Sequence, residues 1–482
     1  MELKHLLNAL KAEIKPEIAS LTIKGIADNS VDVSKDYLFV AIKGFKSNGH
    51  DFIDDAIKRG ACVIVGEMDI VSLPIPYIKV ANSRRALGII ASNFYHHPSK
   101  SKIMIGITGT NGKTTTSYIL KHILESNGHT CSLIGTIQNI VNGEVYDSKN
   151  TTPSSLVLQK LLFESKDEIV IMEVSSHGLS QFRIEGITFD YCLFTNLDHE
   201  HLDYHETMEE YFQTKLSLFS YLKKNGQAIV NTDNVWGKKL AEKLKDKNIY
   251  VHSLGQSEDN KFQILDLDFE NSVVQLAEDN ESVQLSSPII GLHNIYNTAM
   301  AYITAKLIGI ENDNILNSIK LFQGVKGRFE ILKLHNGATV VVDYAHTADA
   351  VFHCLTTSKK YGAKKITHIF GFRGDRDESK RQRILAVSSE FSDEFILTLD
   401  DLNSVPINEM IESLYKLNNH YANNKGIVMP DRTSAIKWAI ENSEQDDWIL
   451  ITGKGHEIYK QNFSIPTTSD TETVLYIDNG EK

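Results

Sequence analysis

Short apolar runs alternate with helical segments along nearly the whole chain. The runs in the first half read YLFVAI, ACVIVG, KIMIGIT, EIVIMEV, YCLFTNL and QAIVN. Those in the second half read TVVVDYA, KITHIFGF, EFILTLD and DWILITG. Near-continuous apolar strands separated by helices are typical of parallel sheets that are buried on both faces. The pattern therefore predicts an α/β protein built on parallel sheets.

Two polar breaks divide this pattern into three parts. The first, YHHPSKSK at 95–102, contains a proline and precedes the strand KIMIGIT. The second, VKGRFEIL at 325–332, precedes a new series of strands and helices. A chain of 482 residues exceeds one ordinary core, since a domain has about 150 residues. We therefore expect three domains, at 1–99, 100–330 and 331–482.

Charge and cysteine content limit the possible partners and compartments. The formal net charge is -12, which argues against broad nucleic-acid binding because that binding needs a basic surface. The four cysteines lie far apart without a CxxC pair, as expected for reduced thiols in the cytosol. The start, MELKHLLNALKAEI, has the spacing of a short amphipathic helix, and the chain has no apolar run of about 18 residues. We expect a cytoplasmic protein without membrane insertion.

The segment GITGTNGKTTT directly follows the apolar run KIMI and leads into a helical pattern. Gly109 and Gly112 would let the backbone turn its N–H groups toward an anion at the helix N-terminus. Lys113 supplies a positive charge for outer phosphates, and Thr114 supplies a hydroxyl for Mg²⁺. The usual pattern GxxxxGK[ST] fails at Ile107, so an ordinary tight turn remains the alternative. Strand, turn and helix together predict a nucleotide-phosphate site.

Side chains downstream of this loop are candidates for metal binding. Glu173 ends the apolar run EIVIMEV, where it would be either a Mg²⁺ ligand or a solvated carboxylate at the strand end. His201 and His205 are spaced for one helix face and allow a zinc site, but a phosphate loop favours Mg²⁺. Lys215 lies on an apolar helical face, where a lysine either extends its ammonium to water or has been chemically altered.

Several further motifs follow the phosphate loop in order. They are MEVSSHGLSQFRIEG, TNLDHEHLDYH, GRFE, DYAHTADA, GDRDESKR and TGKGHE. Together with GTNGKTTT, they resemble the motifs of the Mur ligases, and within that family those of the UDP-N-acetylmuramoyl-tripeptide synthetases (MurE). The resemblance covers nearly the whole chain, because the N-terminal NSVDVSKDYLFVAIKGFKSNGHDFIDDAIKRGACVIV is similar as well.

This resemblance implies a fold and an activity. The fold would have an N-terminal UDP-sugar-binding α/β domain, a central ATP-binding phosphate-loop domain on a parallel sheet, and a C-terminal Rossmann-like domain that binds the amino acid. The activity would be that of an ATP-dependent acid–amino-acid ligase in peptidoglycan biosynthesis. It would add a third amino acid to UDP-N-acetylmuramoyl-L-Ala-D-Glu through an acyl phosphate and release ADP and phosphate. ATP and Mg²⁺ would be the cofactors, the UDP-dipeptide and a free amino acid the partners, and the protein a monomer.

The resemblance also implies the site residues. Those assigned to catalysis are Lys113, Glu173, His201 and Lys215. ATP would be bound by Gly109, Thr110, Asn111, Gly112, Lys113, Thr114, Thr115, Asn294, Asn297, Arg328, Asp343 and His346. The metal ligands would be Thr114, Glu173, His201 and Lys215, the last as an anionic carbamate. The UDP-sugar peptide would be bound by Ser30, Thr151, Thr152, Ser175, Gln181 and Arg183. The amino acid would be bound by Arg376, Asp400, Asp401, Asn403, Gly453 and Glu457.

The amino-acid site departs from the family pattern. Ligases that add diaminopimelate typically carry DNPR, whose arginine holds the distal carboxylate, whereas this chain has DDLN at 400–403. Without that arginine a second carboxylate would lack a partner, and Asp400 and Asp401 would favour a cationic side chain. We therefore expect L-lysine or another diamino acid such as ornithine. Arg373 is a further departure, because small residues are common at its position.

These departures leave two alternatives open. One is a divergent paralogue that ligates a different amino acid in a specialised peptide pathway, and the other is a non-catalytic nucleotide-binding protein. In the first domain DNS at 28–30 replaces DSR, which leaves the state of the uridine site open. The joint presence of Lys113, Thr114, Glu173, His201 and Lys215 favours an active enzyme, because a decayed one would have lost some of them.

Overall fold

The computed structural model describes residues 1–10, 15–44, 47–70, 72–198, 204–269, 271–278, 281–287, 289–375, 378–421 and 424–480. These residues form three sheets, each built from its own stretch of chain. The fold is mixed α/β with mainly parallel strands, as the apolar runs predicted. The bounds of the three domains stay a prediction.

The N-terminal sheet is small and entirely parallel. Its strands lie in the order β1 (Gly25–Ala27), β2 (Tyr37–Val40), β3 (Ala61–Gly66) and β4 (Tyr77–Lys79). The helices of this region are α1 (Leu3–Leu6), α2 (Ile53–Lys58) and α3 (Ser83–Phe94). The amphipathic helix that the sequence predicted at the start is thus a single turn within residues 1–10, and residues 11–14 lie outside the described part.

The central sheet is the largest of the three. Its strands are β5 (Ile103–Thr108), β6 (Cys131–Ile134), β7 (Gln138–Val141), β8 (Glu144–Asp147), β9 (Ile169–Glu173), β10 (Phe189–Phe194), β11 (Leu222–Asn231), β12 (Tyr250–Gly255), β13 (Phe262–Asp268), β14 (Val273–Glu278) and β15 (Glu281–Ser286). They lie in the order β15-β14-β13-β12-β11-β10-β5-β9-β6-β7-β8. Strand β5 pairs in parallel with both β9 and β10, so the carboxyl ends of these three strands meet at one edge of the sheet.

Antiparallel strands extend both ends of this sheet. Strands β6, β7 and β8 form one extension, and β13, β14 and β15 form the other. These strands were not predicted from the sequence, because they lack a long continuous apolar run. All residues of β8, for example, are exposed. Such strands need only one covered face.

Helices cover both faces of the central sheet. They are α4 (Lys113–Ser126), α5 (Ser155–Glu164), α6 (Ser176–Ser180), α7 (Met208–Leu216), α8 (Val235–Asp246), α9 (Leu292–Ile308) and α10 (Asn312–Lys320). Helix α9 packs against α4, and Ile119, Ile123, Ala299 and Met300 lie in their shared core. Because α9 is apolar on most of its surface it is almost completely buried, which fixes its position beside the helix that follows the phosphate loop.

The C-terminal sheet has one antiparallel edge and a parallel remainder. Its order is β16 (Glu330–Lys333), β17 (Thr339–Asp343), β21 (Trp448–Thr452), β18 (Ile366–Phe372), β19 (Glu394–Leu399) and β20 (Gly426–Val428). Its helices are α11 (Ala348–Lys360), α12 (Ser379–Phe391), α13 (Ile407–Tyr421), α14 (Arg432–Glu441) and α15 (Asp470–Asp478). Separate apolar clusters lie on its two faces. The carboxyl ends of β17, β21 and β18 meet at one edge, where a doubly wound sheet binds ligands.

The sequence predicted reduced thiols and no membrane insertion, and the structure bears on both expectations. The four cysteines are free thiols, and all but Cys62 are buried. No helix in the described part of the chain is both long and apolar enough to cross a membrane.

Candidate active site

The phosphate loop connects β5 to the N-terminus of α4. Gly109 and Gly112 have φ angles of 150° and 86°, values that side chains of L-residues rarely adopt. A Cβ atom at Gly112 would lie 2.3 Å from Asn297 Oδ1, and one at Gly109 would lie 1.9 Å from Thr195 Oγ1. Glycine is therefore required at both positions for the loop to close around the start of the helix.

The first two side chains of α4 contact the carbonyl groups of the loop and one buried carboxylate. Lys113 Nζ donates to the carbonyl oxygens of Gly109 and Thr110, each at 2.8 Å. Thr114 Oγ1 donates to Glu173 Oε2 at 2.9 Å, and Glu173 is completely buried. The interpretation of Glu173 as a solvated strand-end residue is therefore wrong. Hydroxyl and carboxylate oxygens at a helix N-terminus form a donor set that fits Mg²⁺.

The loop is also held by two residues that the sequence analysis missed. Thr195 and Asn196 follow β10, the neighbour of β5. Thr195 Oγ1 donates to Asn111 O at 2.6 Å, and Asn111 N donates to Asn196 Oδ1 at 2.9 Å. Thr110 N donates to Asn196 O at 3.0 Å. Their position directly after an apolar strand was the signal that could have identified them.

Lys215 lies beside the phosphate loop instead of reaching water. Its side chain is buried, Nζ donates to Gly109 O at 2.9 Å, and Nζ lies 4.5 Å from the centre of the Tyr211 ring. The expectation of an ammonium extended to water is wrong here. His205 is buried one turn before α7, and its ring centre lies 5.0 Å from that of Tyr211. Among the described residues no group of three or more His, Cys, Asp or Glu side chains could hold a metal ion.

Helix α9 and the start of the C-terminal domain enclose one side of the loop. Asn297 Nδ2 donates to Asn294 Oδ1 at 3.2 Å, and Thr116 Oγ1 donates to Asn297 Oδ1 at 3.2 Å. These residues border a cavity of about 130 Å³. Its lining includes eight of the residues expected to bind ATP, namely Asn111, Gly112, Thr115, Asn294, Asn297, Arg328, Asp343 and His346.

Arg328 lies in the turn before β16 and Asp343 ends β17, and both residues line this cavity. Burial raises the pKa of Asp343, against the opposing effect of Arg328. Asp343 accepts hydrogen bonds from the backbone N–H groups of Phe329 and Ala345, both at 2.6 Å. The Arg328 guanidinium lies 4.4 Å from the centre of the Tyr344 ring. Asp343 thus fixes the two turns that carry Arg328 and Tyr344.

Four of the residues expected to bind the UDP-sugar peptide, namely Thr152, Ser175, Gln181 and Arg183, form a connected cluster. Arg183 Nη1 donates to Thr152 O at 2.6 Å, and Arg183 Nη2 donates to Gln181 Oε1 at 2.9 Å. Thr152 Oγ1 donates to Glu173 O at 3.0 Å and lies 3.2 Å from Ser175 Oγ. Burial lowers the pKa of the Arg183 guanidinium. A second cavity, of about 210 Å³, is shared by the loop and this cluster, and its lining includes Lys113, Thr114, Thr151, Ser175 and Arg328.

The structure does not bring every expected residue to these cavities. His201 and Arg376 lie outside the described residues. Ser30 is described, but it starts a short 3₁₀ helix in the N-terminal domain and is not part of either cavity's lining in the described chain. Its hydroxyl donates to Asp55, which lowers the pKa of that carboxyl group.

The two aspartates of the expected amino-acid site already have cationic partners. Asp400 and Asp401 are buried, and the completely buried Lys454 donates to Asp400 Oδ1 at 3.2 Å and to Asp401 Oδ1 at 2.7 Å. Lys460 Nζ lies 2.7 Å from Asp401 Oδ2. Burial opposes ionisation of Asp400, but the charges of Lys454, Arg373 and Arg432 together outweigh it and lower the pKa. The charge argument for a cationic substrate side chain therefore no longer holds.

Arg373 occupies a third cavity near these aspartates. Arg373 Nη2 donates to Gly453 O at 3.1 Å and to Glu457 Oε2. Glu457 Oε1 also accepts a hydrogen bond from Tyr344 at 3.2 Å. Asn403 has a φ angle of 50°, and its Nδ2 donates to Gly374 O at 2.7 Å. The structure thus brings Gly453 and Glu457 together with an arginine that the sequence analysis had treated only as a departure.

Comparison with known proteins decides the family. The sequence matches the descriptions "Mur ligase family, catalytic domain" over 22–95, "Mur ligase middle domain" over 107–305 and "Mur ligase, glutamate ligase domain" over 327–455. It is 38% identical, over 472 residues, to the UDP-N-acetylmuramoyl-L-alanyl-D-glutamate--2,6-diaminopimelate ligase of Caldanaerobacter subterraneus, with 95% of each chain covered. The chain belongs to the Mur ligase family. The ligase of the same name from Aquifex aeolicus is also 38% identical to this Mur ligase, over 95% of this chain and 94% of that one.

Solved structures share the fold of this Mur ligase. A UDP-N-acetylmuramoyl-L-alanyl-D-glutamate--2,6-diaminopimelate ligase matches it with a TM-score of 0.71 and 24% identity, over 99% of each chain. The MurF ligase of Thermotoga maritima in complex with ADP matches with a TM-score of 0.65 and 19% identity, over 97% of this chain and 99% of that one. The expected three-domain architecture is thus confirmed. As a Mur ligase the protein is an ATP-dependent ligase, the enzyme class that its motifs predicted.

Proposed function

We propose that this Mur ligase adds the third amino acid to UDP-N-acetylmuramoyl-L-Ala-D-Glu in peptidoglycan biosynthesis. One observation carries the proposal, namely that Glu173 joins two groups of residues. Its side chain accepts from Thr114 at the phosphate loop, and its backbone oxygen accepts from Thr152 in the cluster around Arg183. A carboxylate bound by that cluster would therefore lie next to the outer phosphates of ATP. The names of the relatives support the same substrate.

The phosphate loop would hold ATP through charges and backbone N–H groups. Lys113 and the start of α4 would face the β- and γ-phosphates. Thr114 and Glu173 would supply oxygen ligands for Mg²⁺. When bound there, Mg²⁺ would neutralise part of the charge on the outer phosphates. Asn294 and Asn297 would face the adenine side, where they line the cavity beside Gly112.

The reaction would proceed in two steps. First, a carboxylate oxygen of the UDP-dipeptide forms a bond to the γ-phosphorus of ATP, and the bond from that phosphorus to ADP breaks. Lys113 and Arg328 would stabilise the charge that develops on the phosphate oxygens. Second, the lone pair of the amine attacks the carbonyl carbon, the phosphate leaves with the electrons of the C–O bond, and the nitrogen loses a proton. Enclosure between two domains would keep water from the acyl phosphate.

Lys215 would act as a carbamate. A carbamate forms when the amine of Lys215 attacks CO₂ and loses a proton, and it converts a cation into an anion. The carbamate keeps one N–H, which can still donate to Gly109 O, the partner of Nζ in this structure. Its oxygens would then offer a ligand for a second cation close to the loop. His201, the other expected ligand, lies outside the described residues.

The identity of the amino acid needs a separate argument. L-Lysine was favoured from the sequence because of Asp400 and Asp401. Both aspartates are paired with Lys454, and Asp401 is also paired with Lys460. The relatives are named for 2,6-diaminopimelate. We propose a diamino acid, with diaminopimelate and L-lysine as the leading candidates. The domain bounds, the monomeric state and the cytoplasmic location remain predictions.

Phosphate release tests the proposed function. The purified protein is incubated with ATP, Mg²⁺, UDP-N-acetylmuramoyl-L-Ala-D-Glu and each candidate amino acid. We expect release only when the UDP-dipeptide and an accepted amino acid are both present, together with a product heavier than the UDP-dipeptide by one amino-acid residue. Phosphate release at the same rate when both the UDP-dipeptide and the amino acid are left out would contradict the proposal and favour a different role for the nucleotide site.

A further inference from the structure

The third cavity lies at the carboxyl edge of the C-terminal sheet. It has a volume of about 200 Å³ and is bordered by the ends of β18, β19 and β21 and by α12. Apolar walls and charged groups alternate around it. The apolar part includes Phe370, Phe372 and Ile384, and the charged part includes Arg373, Lys380, Arg381 and Asp400. This volume is large enough for one amino-acid side chain.

Positive charge dominates the lining. Asp400, the carboxylate that faces the cavity, is neutralised from behind by the completely buried Lys454. Arg381 is tied to the protein, because Nη1 donates to Ser413 Oγ at 3.1 Å and lies 3.1 Å from Glu378 Oε1. Lys380 makes no hydrogen bond or ion pair with a residue that the structure describes. The cavity thus presents a cationic surface to a ligand.

The Arg373 guanidinium retains unused hydrogen-bonding capacity. Its Nη2 is taken by Gly453 O and Glu457, but its buried Nε has no hydrogen-bond partner. Asp400 Oδ2 lies 3.8 Å from Nε, within ion-pair range but beyond hydrogen-bonding distance. The guanidinium also lies 5.5 Å from the centre of the Tyr344 ring, which restricts its rotation. Arg373, with 20% of its side chain exposed, forms ion pairs with Glu457 and Asp400, and its buried Nε–H remains able to donate to an oxygen of a ligand.

Two loops hold Arg373 in this place. Gly374 N donates to Asp401 O at 2.9 Å, and Asn403 Nδ2 donates to Gly374 O. A Cβ atom at Gly374 would lie 2.0 Å from Leu402 O. The loop after β18 and the loop after β19 are therefore in direct contact. Asn403 is neutral and adds no charge to the cavity. Arg373, which precedes Gly374 in the contacting loop, adds a positive charge.

We propose that Arg373 is the residue that determines amino-acid specificity, by binding a carboxylate at the far end of the substrate side chain. The guanidinium charge attracts a carboxylate, and the Nε–H is the donor left for it, since Nη2 already donates to Gly453 O and Glu457. Lys380 adds a second positive charge on the same wall. A substrate side chain that ends in an ammonium instead meets like charges. The cavity therefore selects a dicarboxylic diamino acid over L-lysine, and this inference rests on the proposed function.

Steady-state kinetics with two amino acids test the role of Arg373. Wild type, Arg373→Gln and Arg373→Lys are compared with 2,6-diaminopimelate and with L-lysine, at saturating ATP and UDP-dipeptide. The control Arg383→Gln makes the same charge change at an exposed position of α12 outside the cavity lining. We expect wild type to prefer diaminopimelate by about 10²-fold in kcat/KM, since an unpaired buried charge penalises the wrong substrate to that extent.

The expected effect of the variants is confined to one substrate. Arg373→Gln should raise the KM for diaminopimelate about 100-fold, and Arg373→Lys about tenfold, while the KM for ATP changes less than about twofold. The preference for diaminopimelate over L-lysine should disappear in Arg373→Gln, and Arg383→Gln should behave as wild type.

Three results would overturn the inference. The inference would be wrong if wild type used L-lysine and rejected diaminopimelate. It would also be wrong if the Arg373→Gln variant kept the preference for diaminopimelate over L-lysine. An equal rise of the KM for ATP and for diaminopimelate would show a general structural effect instead. If no amino acid stimulates phosphate release by folded wild type, the proposed function fails as well, and this outcome is distinct from a change of preference.

Discussion

Arg328 Nη2 donates to Thr114 Oγ1 over 3.4 Å, although the two residues are 214 positions apart in the chain. The contact joins the turn before β16 to the first turn of α4. The guanidinium also packs on Tyr344, and the cavity beside Gly112 is lined by residues of both the central and the C-terminal domain. This arrangement is what a ligase needs to stabilise phosphate charge only when both domains are in place.

Arg328→Gln should therefore reduce kcat more than ATP binding. The neutral amide cannot stabilise the charge that develops on the phosphate oxygens, so we expect a loss of about 10²–10³-fold in kcat. The KM for ATP should change by less than about tenfold, since Lys113 and the loop N–H groups remain. Phosphate release measures both constants. Arg59→Gln, a change at an exposed arginine of the N-terminal domain, is the control, and an unchanged kcat in Arg328→Gln would refute the role of the contact.

Glu173→Gln should separate the Mg²⁺ requirement from the fold. The amide keeps the size of the side chain and can still accept from Thr114 and Thr136, the partners of Glu173 Oε2. Its lost negative charge weakens a Mg²⁺ ligand. We expect kcat to fall by about 10²-fold or more and the Mg²⁺ concentration at half-maximal rate to rise. A Mg²⁺ titration at saturating ATP measures this shift, and an unchanged midpoint would speak against Glu173 as a ligand.

Lys215→Ala should abolish turnover and be partly rescued by a short carboxylic acid. The small acid would occupy the space left by the side chain and return an anionic oxygen to the loop. Phosphate release with and without added acetate measures the rescue, and circular dichroism checks that the variant is folded. Lys239→Ala, which removes a partly exposed lysine of α8, should remain active without acetate. Normal activity of Lys215→Ala would exclude the carbamate.

The site residues differ in how far the sequence could predict them. The proximity of Lys113, Thr114 and Glu173 was predictable because each stands at a strand end or helix start, and strand ends of a parallel sheet converge. The contacts of Thr195 with Asn111 span 84 positions, and only the strand order makes them neighbours. Strand order was not predictable from apolar runs alone.

The charge that the cavity beside Asp400 and Arg373 presents was the property least predictable from the sequence. Asp400 and Asp401 look like two unpaired acids in the stretch LTLDDLNSVP, and their partner Lys454 lies 54 and 53 positions away. Arg373 likewise lies 84 positions before Glu457. Burial and pairing, not residue type, determine which charge a cavity presents to its ligand.

Asp470→Asn should strongly destabilise the C-terminal domain. Asp470 and Arg432 are completely buried and form two hydrogen bonds, at 2.6 Å and 2.8 Å, which join α14 to α15. The variant leaves a buried guanidinium without its counter-charge, at a cost of about 3–5 kcal/mol. Urea unfolding measures this cost. Asp36→Asn removes the charge from the exposed pair with Lys24 and should have a much smaller effect on the free energy of unfolding; equal effects of the two variants would contradict the argument.

His368 should make the folded protein sensitive to acid. Its ring is completely buried, with Nδ1 2.8 Å from Ser388 Oγ and Nε2 2.8 Å from Thr452 Oγ1. Burial, aided by the charge of Arg432, lowers the pKa of His368 to about 3. Because the unfolded chain takes up the proton near pH 6.5 and the folded one does not, this group stabilises the fold fully above pH 6.5. Its contribution falls by up to about 1.4 kcal/mol for each pH unit below that value.

Urea unfolding of wild type and His368→Gln between pH 7.5 and pH 5 measures this contribution. The glutamine does not titrate, so the free energy of unfolding of the variant should decline less steeply, and the difference between the two proteins should shrink as the pH falls. Ser388→Ala is the matched control, because it removes a hydrogen-bond partner but keeps the imidazole, and its loss should be similar at every pH. Parallel curves for wild type and His368→Gln would mean that this imidazole does not govern the acid sensitivity.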